Sequence, residues 1–384
     1  MEKKYLIKGF LTGLLIALIS GVLYLYTTGY RIDREGENPI QVQITGMISA
    51  KSIPDGASVY LNDELITATN TSIPGIVPGK HTIKISKSGF TPWEKKIEVF
   101  PELVTDITAV LISQTPRIEP LTSTGARDPS MSPSLNSIAY FSKDDKESGV
   151  WLLPLTANRL NIFSSTPSVI LGDTAYTKFS DGLEIVWAPD EKQILVQQSE
   201  ENYYLVDLKT SEAKYVKDPE LILKEWEQSL IDKREKFIEK LEIEEDIKKI
   251  ATSPETLWSP DGKKFMYQTE TNDQVEYMIY NMEKPLPVGE KVQTVLYSTA
   301  KEKAQPAFSW YADSYHLIML EPSEKDDNKG RISLIRIDGT NKVEIYNNSL
   351  FSNKVFSAPG GDKIIVLTSF KSEGDTNLYT ISIR

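Results

Sequence analysis

Hydrophobic positions in this chain change their spacing several times, and each change marks a different element. Residues 9–26 (GFLTGLLIALISGVLYLY) form an apolar run broken by no charge. About 18 to 20 such residues, rising about 1.5 Å each, match the roughly 30 Å hydrocarbon core of a bilayer, so a transmembrane helix is expected over residues 9–27. Lys3, Lys4 and Lys8 precede the run and Tyr24, Tyr26 and Tyr30 close it. Lysines on the N-terminal side make residues 1–8 a cytoplasmic stub, and the tyrosines form an interfacial belt. No small-x-small site follows the run, which argues against a cleaved signal peptide. Residues 28–45 are polar, show no sustained period and read as a linker.

From residue 46 to residue 113 the pattern becomes short β-type runs (MISAKSIP, ASVYLN, HTIKIS, KKIEVF) separated by Pro54-Asp55-Gly56, Pro74-Gly75, Pro78-Gly79 and Ser88-Gly89. Apolar residues alternate with polar ones in SVYLN and HTIKIS, the period of strands buried on one face. A small antiparallel sandwich is expected here.

Beyond residue 113 a unit repeats. Met131-Ser132-Pro133 precedes Ile138-Ala139-Tyr140; Trp187-Ala188-Pro189-Asp190 precedes Ile194-Leu195-Val196; and Trp258-Ser259-Pro260-Asp261-Gly262 precedes Phe265-Met266-Tyr267. Trp310-Tyr311-Ala312-Asp313 precedes Leu317-Ile318-Met319, and Ser357-Ala358-Pro359-Gly360-Gly361 precedes Ile364-Ile365-Val366. A turn, then three consecutive apolar residues, describes a strand covered on both faces, as in the inner strands of propeller blades. A second strand follows in every unit: Val150 to Leu153, Tyr203 to Val206, Tyr277 to Tyr280, Ile332 to Ile335 and Leu378 to Ile381. Arg117-Ile118-Glu119-Pro120-Leu121 resembles the last strand of a blade, so it is expected to join the sheet at the other end of the chain and close the array. Five blades follow, six if one motif has decayed. The longest interval, between the second and third units, holds a helical insertion at 217–250. Its apolar stripe, Leu223, Trp226, Leu230, Phe237 and Leu241, is expected to pack on the side of the propeller.

Chemistry is sparse. The net charge of −11 and the lack of a basic patch disfavour nucleic acid and anionic lipid surfaces as partners. Without cysteine there are no disulfides, thiol nucleophiles or thiolate metal sites. His81 and His316 both read as strand-surface residues, His316 at the position held by Gln193, Lys264 and Lys363 in sister repeats. No Gly-x-Ser-x-Gly elbow, P-loop, His-Glu-x-x-His or EF-hand occurs, so no catalytic residue, metal ligand or cofactor is nominated. Acidic hairpins (Asp144, Asp145 and Glu147; Glu324, Asp326 and Asp327; Glu373 and Asp375) recur at equivalent loops. They read as solvated turns, with capture of Ca²⁺ or a cationic partner the alternative. Gly9, Gly13, Ala17 and Gly21 put small side chains on one face of the anchor, the geometry of a homodimer through the membrane helix.

Residues 46–113 resemble the PEGA domain family in Ile53-Pro54-Asp55-Gly56-Ala57, Val59-Tyr60-Leu61-Asn62, Ile76-Val77-Pro78-Gly79-Lys80-His81-Thr82-Ile83, Ser88-Gly89-Phe90 and Trp93. The resemblance implies an extracytoplasmic β-sandwich without catalysis. Residues 114–384 are similar to TolB-type β-propellers, with residues 258–267 the best copy of the blade signature. The sequence therefore points to an all-β protein behind an N-terminal transmembrane helix: a cell-surface binding or scaffold protein presenting a propeller to an envelope protein or polysaccharide. A propeller enzyme acting on cell-wall glycan is the alternative.

Overall fold

The computed structural model describes residues 2–27, 30–33, 41–155, 166–241, 243–323, 329–370 and 376–384. The chain divides into two compact units, Met1–Leu111 with Pro285–Glu290, and Ile112–Lys284 with Lys291–Arg384.

In the first unit, helix α1 spans Glu2–Thr27. Its side chains are described from residue 9 to residue 25, and Phe10, Leu11, Ile16 and Ile19, which point in different directions around the axis, are all exposed. Among the described residues no helix is long and apolar enough to cross a membrane. The expected linker carries secondary structure: Tyr30–Asp33 pairs antiparallel with Gln41–Ile44. Strands of four residues are too short to register as a period in sequence.

The module that follows is two facing sheets. Ser58–Leu61, Glu64–Ala68, Gly79–Ser86 and Trp93–Val99 form one, and Gly46–Ile53, Thr71–Ile76 and Val104–Val110 the other. Asn62 and Asp63, at φ of 50° and 69°, make the two-residue hairpin turn between the first pair. Inward residues of both sheets, among them Ile48, Ala50, Val59, Ile83, Ile85, Trp93 and Ile107, share one core. The expected all-antiparallel arrangement is corrected at one pairing, because Gly46–Ile53 and Val104–Val110 run parallel from Met47 opposite Val104 to Ile53 opposite Val110. The first and last strands of the module lie side by side, a relation that local alternation does not encode.

The second unit contains five open four-stranded antiparallel sheets among its described residues. Four are built from consecutive strands. The fifth combines Val355–Ser357, Lys363–Thr368 and Asn377–Ser382 with Ile118–Pro120 from the start of the unit, Ile118 lying opposite Ile381. Every residue of the five apolar triplets is buried, and each triplet lies on the second strand of its sheet. Adjacent residues serve opposite neighbours. Ile138 and Tyr140 pack with Ile365, Leu367 and Leu378 of the fifth sheet, whereas Ala139 and Phe141 pack with Ile185, Ile194 and Val196 of the second. Leu317 and Met319 of the fourth sheet share a core with Met266 and Ile279 of the third. The unit is propeller-like in this sense: each sheet is a layer whose two faces are both interior.

Tryptophans at the end of the first strand fasten neighbouring layers. Trp187 Nε1 donates to Ser130 O at 3.1 Å, and Trp310 Nε1 to Leu257 O at 2.9 Å, each bond reaching the preceding sheet. Trp258 holds the same position in the third sheet, but its Nε1 donates to Ala251 O at 2.8 Å. Ala251 belongs to helix α3, Glu245–Thr252, which with helix α2, Pro219–Ile238, makes up the connection between the second and third sheets. Phe265, Tyr267, Met278 and Tyr280, on the side of the third sheet away from the fourth, pack with Ile238, Ala251, Ile247 and Ile250 of the helices. The stripe expected to pack on the propeller does so at its C-terminal end, where Leu241 joins the core of the third sheet and Phe237 meets the Trp258 ring edge-on, whereas Leu223 and Leu230 stay about a third exposed. Shorter α3 and the last turn of α2 do the rest.

Trp258→Phe should lower unfolding stability by about 1–3 kcal/mol, because the substitution leaves the Ala251 carbonyl without its indole donor. Leu378→Ala, at a side chain with no exposed surface, should cost about 2–5 kcal/mol. Ile118→Ala, on the exposed edge of the same sheet, should cost well under that. Urea titration of the three variants checks the order.

Candidate binding surface

Each sheet has two ends, one bearing the Pro-Asp-Gly-type turn before its second strand and the other the hairpin connection from its second strand to its third. At the turn end, Asp261 accepts from Lys263 N at 2.9 Å and Ser259 Oγ at 2.6 Å, holding the turn ahead of Lys264. Lys264 is fully buried, with its Nζ 3.0 Å from Glu283 Oε1, 3.2 Å from Asp261 Oδ2 and 4.1 Å from the centre of the Tyr315 ring. Tyr315 Oη donates to Glu283 Oε2 at 2.7 Å. His316, expected on a strand surface, is also buried, and its Nδ1 lies 2.7 Å from Asp313 Oδ2. In these two repeats the carboxylate of the turn itself, Asp261 or Asp313, sits over the residue before the triplet, whereas Gln193 and Lys363 at the same position are half-buried. Spacing along one strand does not reveal that cover. His81 fits the expectation better, as a half-buried strand residue that donates from Nε2 to Val77 O at 2.7 Å and accepts at Nδ1 from Asn62 Nδ2 at 3.0 Å.

Asp261 and Glu283 face the Lys264 ammonium, and Asp313 faces the His316 ring. Burial pushes the Asp313 carboxyl up, but the His316 charge, its ring hydrogen bond and the amides of Tyr315 and His316 together hold it below the usual range. Asp338 faces Arg336 at 2.5 Å. Among the described residues no group of three or more carboxylates and histidines is placed to hold a metal ion.

The hairpin end carries a groove of about 350 Å³ between the first and fifth sheets, lined by residues 123–127 and 141–145 with Ser180, Thr376 and Asn377. Its walls are fixed by their own hydrogen bonds. Asn377 Oδ1 accepts from Thr122 Oγ1 at 3.0 Å and Gly125 N at 3.1 Å; Ser142 Oγ donates to Thr124 O at 2.6 Å; Thr376 Oγ1 donates to Ala126 O at 2.7 Å. Arg127 lies over the Phe141 ring at 5.5 Å and donates to Ser180 O at 2.7 Å and Gly182 O at 3.1 Å. Gly182 is required there, since any Cβ would collide with the Phe141 ring. Of the acidic hairpins, Asp144 and Asp145 line this groove beside Lys143, which pairs with Asp181 at 2.5 Å; Glu147 lies in the same hairpin. Lys143 holds the Asp181 carboxyl below its usual range. Glu324, Asp326, Asp327, Glu373 and Asp375 lie outside the described residues.

The chain from Asp173 to Ser180, whose end lines the groove, presents a residue that the sequence reading passed over. Tyr176 is 99% exposed. Its loop is braced by Thr174 N to Thr177 O at 2.9 Å, Thr177 N to Thr174 Oγ1 at 2.9 Å, and the Asp173 carboxylate accepting from Ser180 N at 2.8 Å and Ser180 Oγ at 2.9 Å. An aromatic residue inside a polar Thr-Ala-Tyr-Thr connection was the available signal. Backbone bracing removes much of the entropy such a side chain would lose on contact.

Comparison with known proteins agrees with the modular organisation. The PEGA domain family model matches residues 45–114, the segment that folds as the two-sheet module. No curated protein matches the chain. Among solved structures, TolB from Acinetobacter baumannii aligns at 14% identity over 79% of this chain and 60% of its own, with a TM-score of 0.27. The chain thus spans 60% of that protein's length. An oligogalacturonate lyase from Vibrio parahaemolyticus aligns at 11% identity over 71% of this chain and 95% of its own, with a TM-score of 0.27, and an oligogalacturonate lyase in complex with manganese at 11% over 80% and 86%, with a TM-score of 0.31. Superpositions this loose bear on neither activity nor ligand, and the propeller-like description rests on the strand order itself.

Asp313→Asn should lower stability at neutral pH by about 1.5–3 kcal/mol. Because the folded-state pKa of Asp313 is depressed, the wild-type advantage should hold from pH ~7 to ~5 and shrink as pH falls through about 4 and below, where the wild-type carboxylate is protonated. Chemical denaturation of both proteins across this range measures it.

Proposed function

We propose that this is a surface-anchored binding protein whose propeller-like unit recognises an envelope polysaccharide. The observation that carries the reading is the hairpin-end groove: rigid walls offering backbone carbonyls, an amide, hydroxyls and charges of both signs, with the exposed Tyr176 on the adjoining braced loop. Such a surface suits a polyhydroxylated chain, which needs many modest hydrogen bonds and an aromatic face against its C–H groups. In this reading α1 is a retained membrane anchor with residues 1–8 in the cytoplasm, the PEGA module is a stalk, and the propeller-like unit faces outward. The match of residues 45–114 to PEGA domains supports the extracytoplasmic placement. A propeller enzyme acting on glycan would need a carboxylate pair able to exchange a proton.

The test is titration of the full-length chain in detergent with fragments of defined envelope polysaccharides. Tyr176→Ala and Arg127→Met should each weaken binding about tenfold, or about 1.4 kcal/mol, while leaving the melting temperature of Tyr176→Ala unchanged. Equal affinity of both variants and wild type would remove the groove from the reading. For topology, protease added to spheroplasts should digest the propeller-like unit and spare a short membrane-embedded stub; full protection would reverse the orientation.

A further inference from the structure

The last residue of each first strand pairs with the first residue of its apolar triplet: Met131 with Ile138, Trp187 with Ile194, Trp258 with Phe265, Trp310 with Leu317 and Ser357 with Ile364. In four sheets this position holds a large side chain that packs beyond its own sheet. Met131 packs with the cluster of Ile365 and Leu367 in the fifth sheet, Trp187 with Ala139 of the first, and Trp310 with Met266 of the third, while Trp258 reaches the helices. The fifth sheet has Ser357 there. A serine cannot span the gap to the preceding sheet as an indole does, so hydroxyl bonds fasten this junction instead. Ser309 Oγ donates to Val355 O at 2.7 Å, and Ser357 Oγ accepts from Ala312 N at 3.0 Å.

A crevice of about 210 Å³ remains between these two sheets, lined by Ser309, Ile318 and Leu320 of the fourth and Val355 and Phe356 of the fifth. Its register matches the indole sites of the sister junctions. Ile318 is the middle residue of its triplet, as are Ala139 beside Trp187 and Met266 beside Trp310. Ser309 precedes Trp310 just as the two indole acceptors, Ser130 and Leu257, precede Met131 and Trp258. An apolar cavity of ~150 Å³ holds one benzene ring, so this crevice has room for a fused bicyclic ring. Lys354 lines its solvent side, exposed and without an ion pair among the described residues.

We propose that this crevice binds a small aromatic carboxylate, the ring taking the place of the indole that the fifth sheet lacks and the carboxylate meeting Lys354. The ring restores the dispersion contacts that the lining side chains forfeit across the gap, and the ammonium favours an anionic ligand over a neutral one. The site lies on the opposite side of the fifth sheet from the groove and is independent of the polysaccharide reading.

The probe is indole-3-propionate, with 3-methylindole as its neutral counterpart. Binding is followed by saturation-transfer NMR on the full-length chain in amphipol, amphipol alone being the blank. A ligand of this size should bind with a Kd of about 1 mM or tighter. Ser357→Trp rebuilds the missing indole from within the fifth sheet and should abolish transfer without lowering the melting temperature. Ala307→Phe fills the crevice from the opposite wall and gives the same readout where Ser357→Trp does not fold. Lys354→Met should weaken indole-3-propionate roughly two- to fivefold, the worth of an exposed ion pair, and leave 3-methylindole unchanged. Absence of saturable binding up to about 10 mM probe overturns the site, as does transfer undiminished in the filled variants. Equal weakening of both probes by Lys354→Met, or of neither, overturns the assignment of a carboxylate ligand.

Discussion

Burial of the second strand on both faces is the constraint from which the rest of the second unit follows. A triplet such as Ile364-Ile365-Val366 sends consecutive side chains to opposite sides of its sheet and leaves none of them in water. Burying each such side chain contributes about 1.5–3 kcal/mol, and a lone sheet could cover neither face. The layers must therefore stack, and the indole bonds from Trp187 and Trp310 to a carbonyl of the preceding layer fix how they do so. Hydrophobic burial supplies the attraction without direction, and the hydrogen bonds give it register.

The insertion between the second and third sheets obeys the same constraint by other means. Phe265 and Tyr267 need cover on the side away from the fourth sheet, and α3 with the last turn of α2 provides it. Trp258 then finds its acceptor on Ala251, a helix carbonyl standing where the other tryptophans meet a strand. The helices are thus part of a layer boundary.

Polar chemistry in the same unit divides by end. At the turn end of the third and fourth sheets Lys264 is buried against Glu283 and Asp261, and His316 against Asp313. A buried charge without a partner costs several kcal/mol, so these groups serve the packing of adjacent turns. At the hairpin end Lys143 and Asp181 pair in solvent, and the groove walls are held by hydrogen bonds from Arg127, Ser142 and Thr376 to backbone carbonyls. Rigid walls there cost little to maintain and leave donors and acceptors facing solvent, which is the property recognition requires.

The sequence by itself determined the elements whose physics is local. Consecutive apolar residues after a Pro-Asp-Gly turn identified the buried strands, alternation identified the sandwich strands, and residues 117–121 were legible as a stray strand that had to find a sheet. What depends on cover from residues distant in sequence was not legible. Parallel pairing of Gly46–Ile53 with Val104–Val110, the burial of Lys264 and His316, the exposure of Leu223 and Leu230, and the groove joining residues 123–127 to Asn377 were all decided by the tertiary structure. The physical reason is that a side chain's environment is set by whichever surface is packed against it. A strand's period records only that two faces differ, not which neighbour, sheet or helix will cover each one.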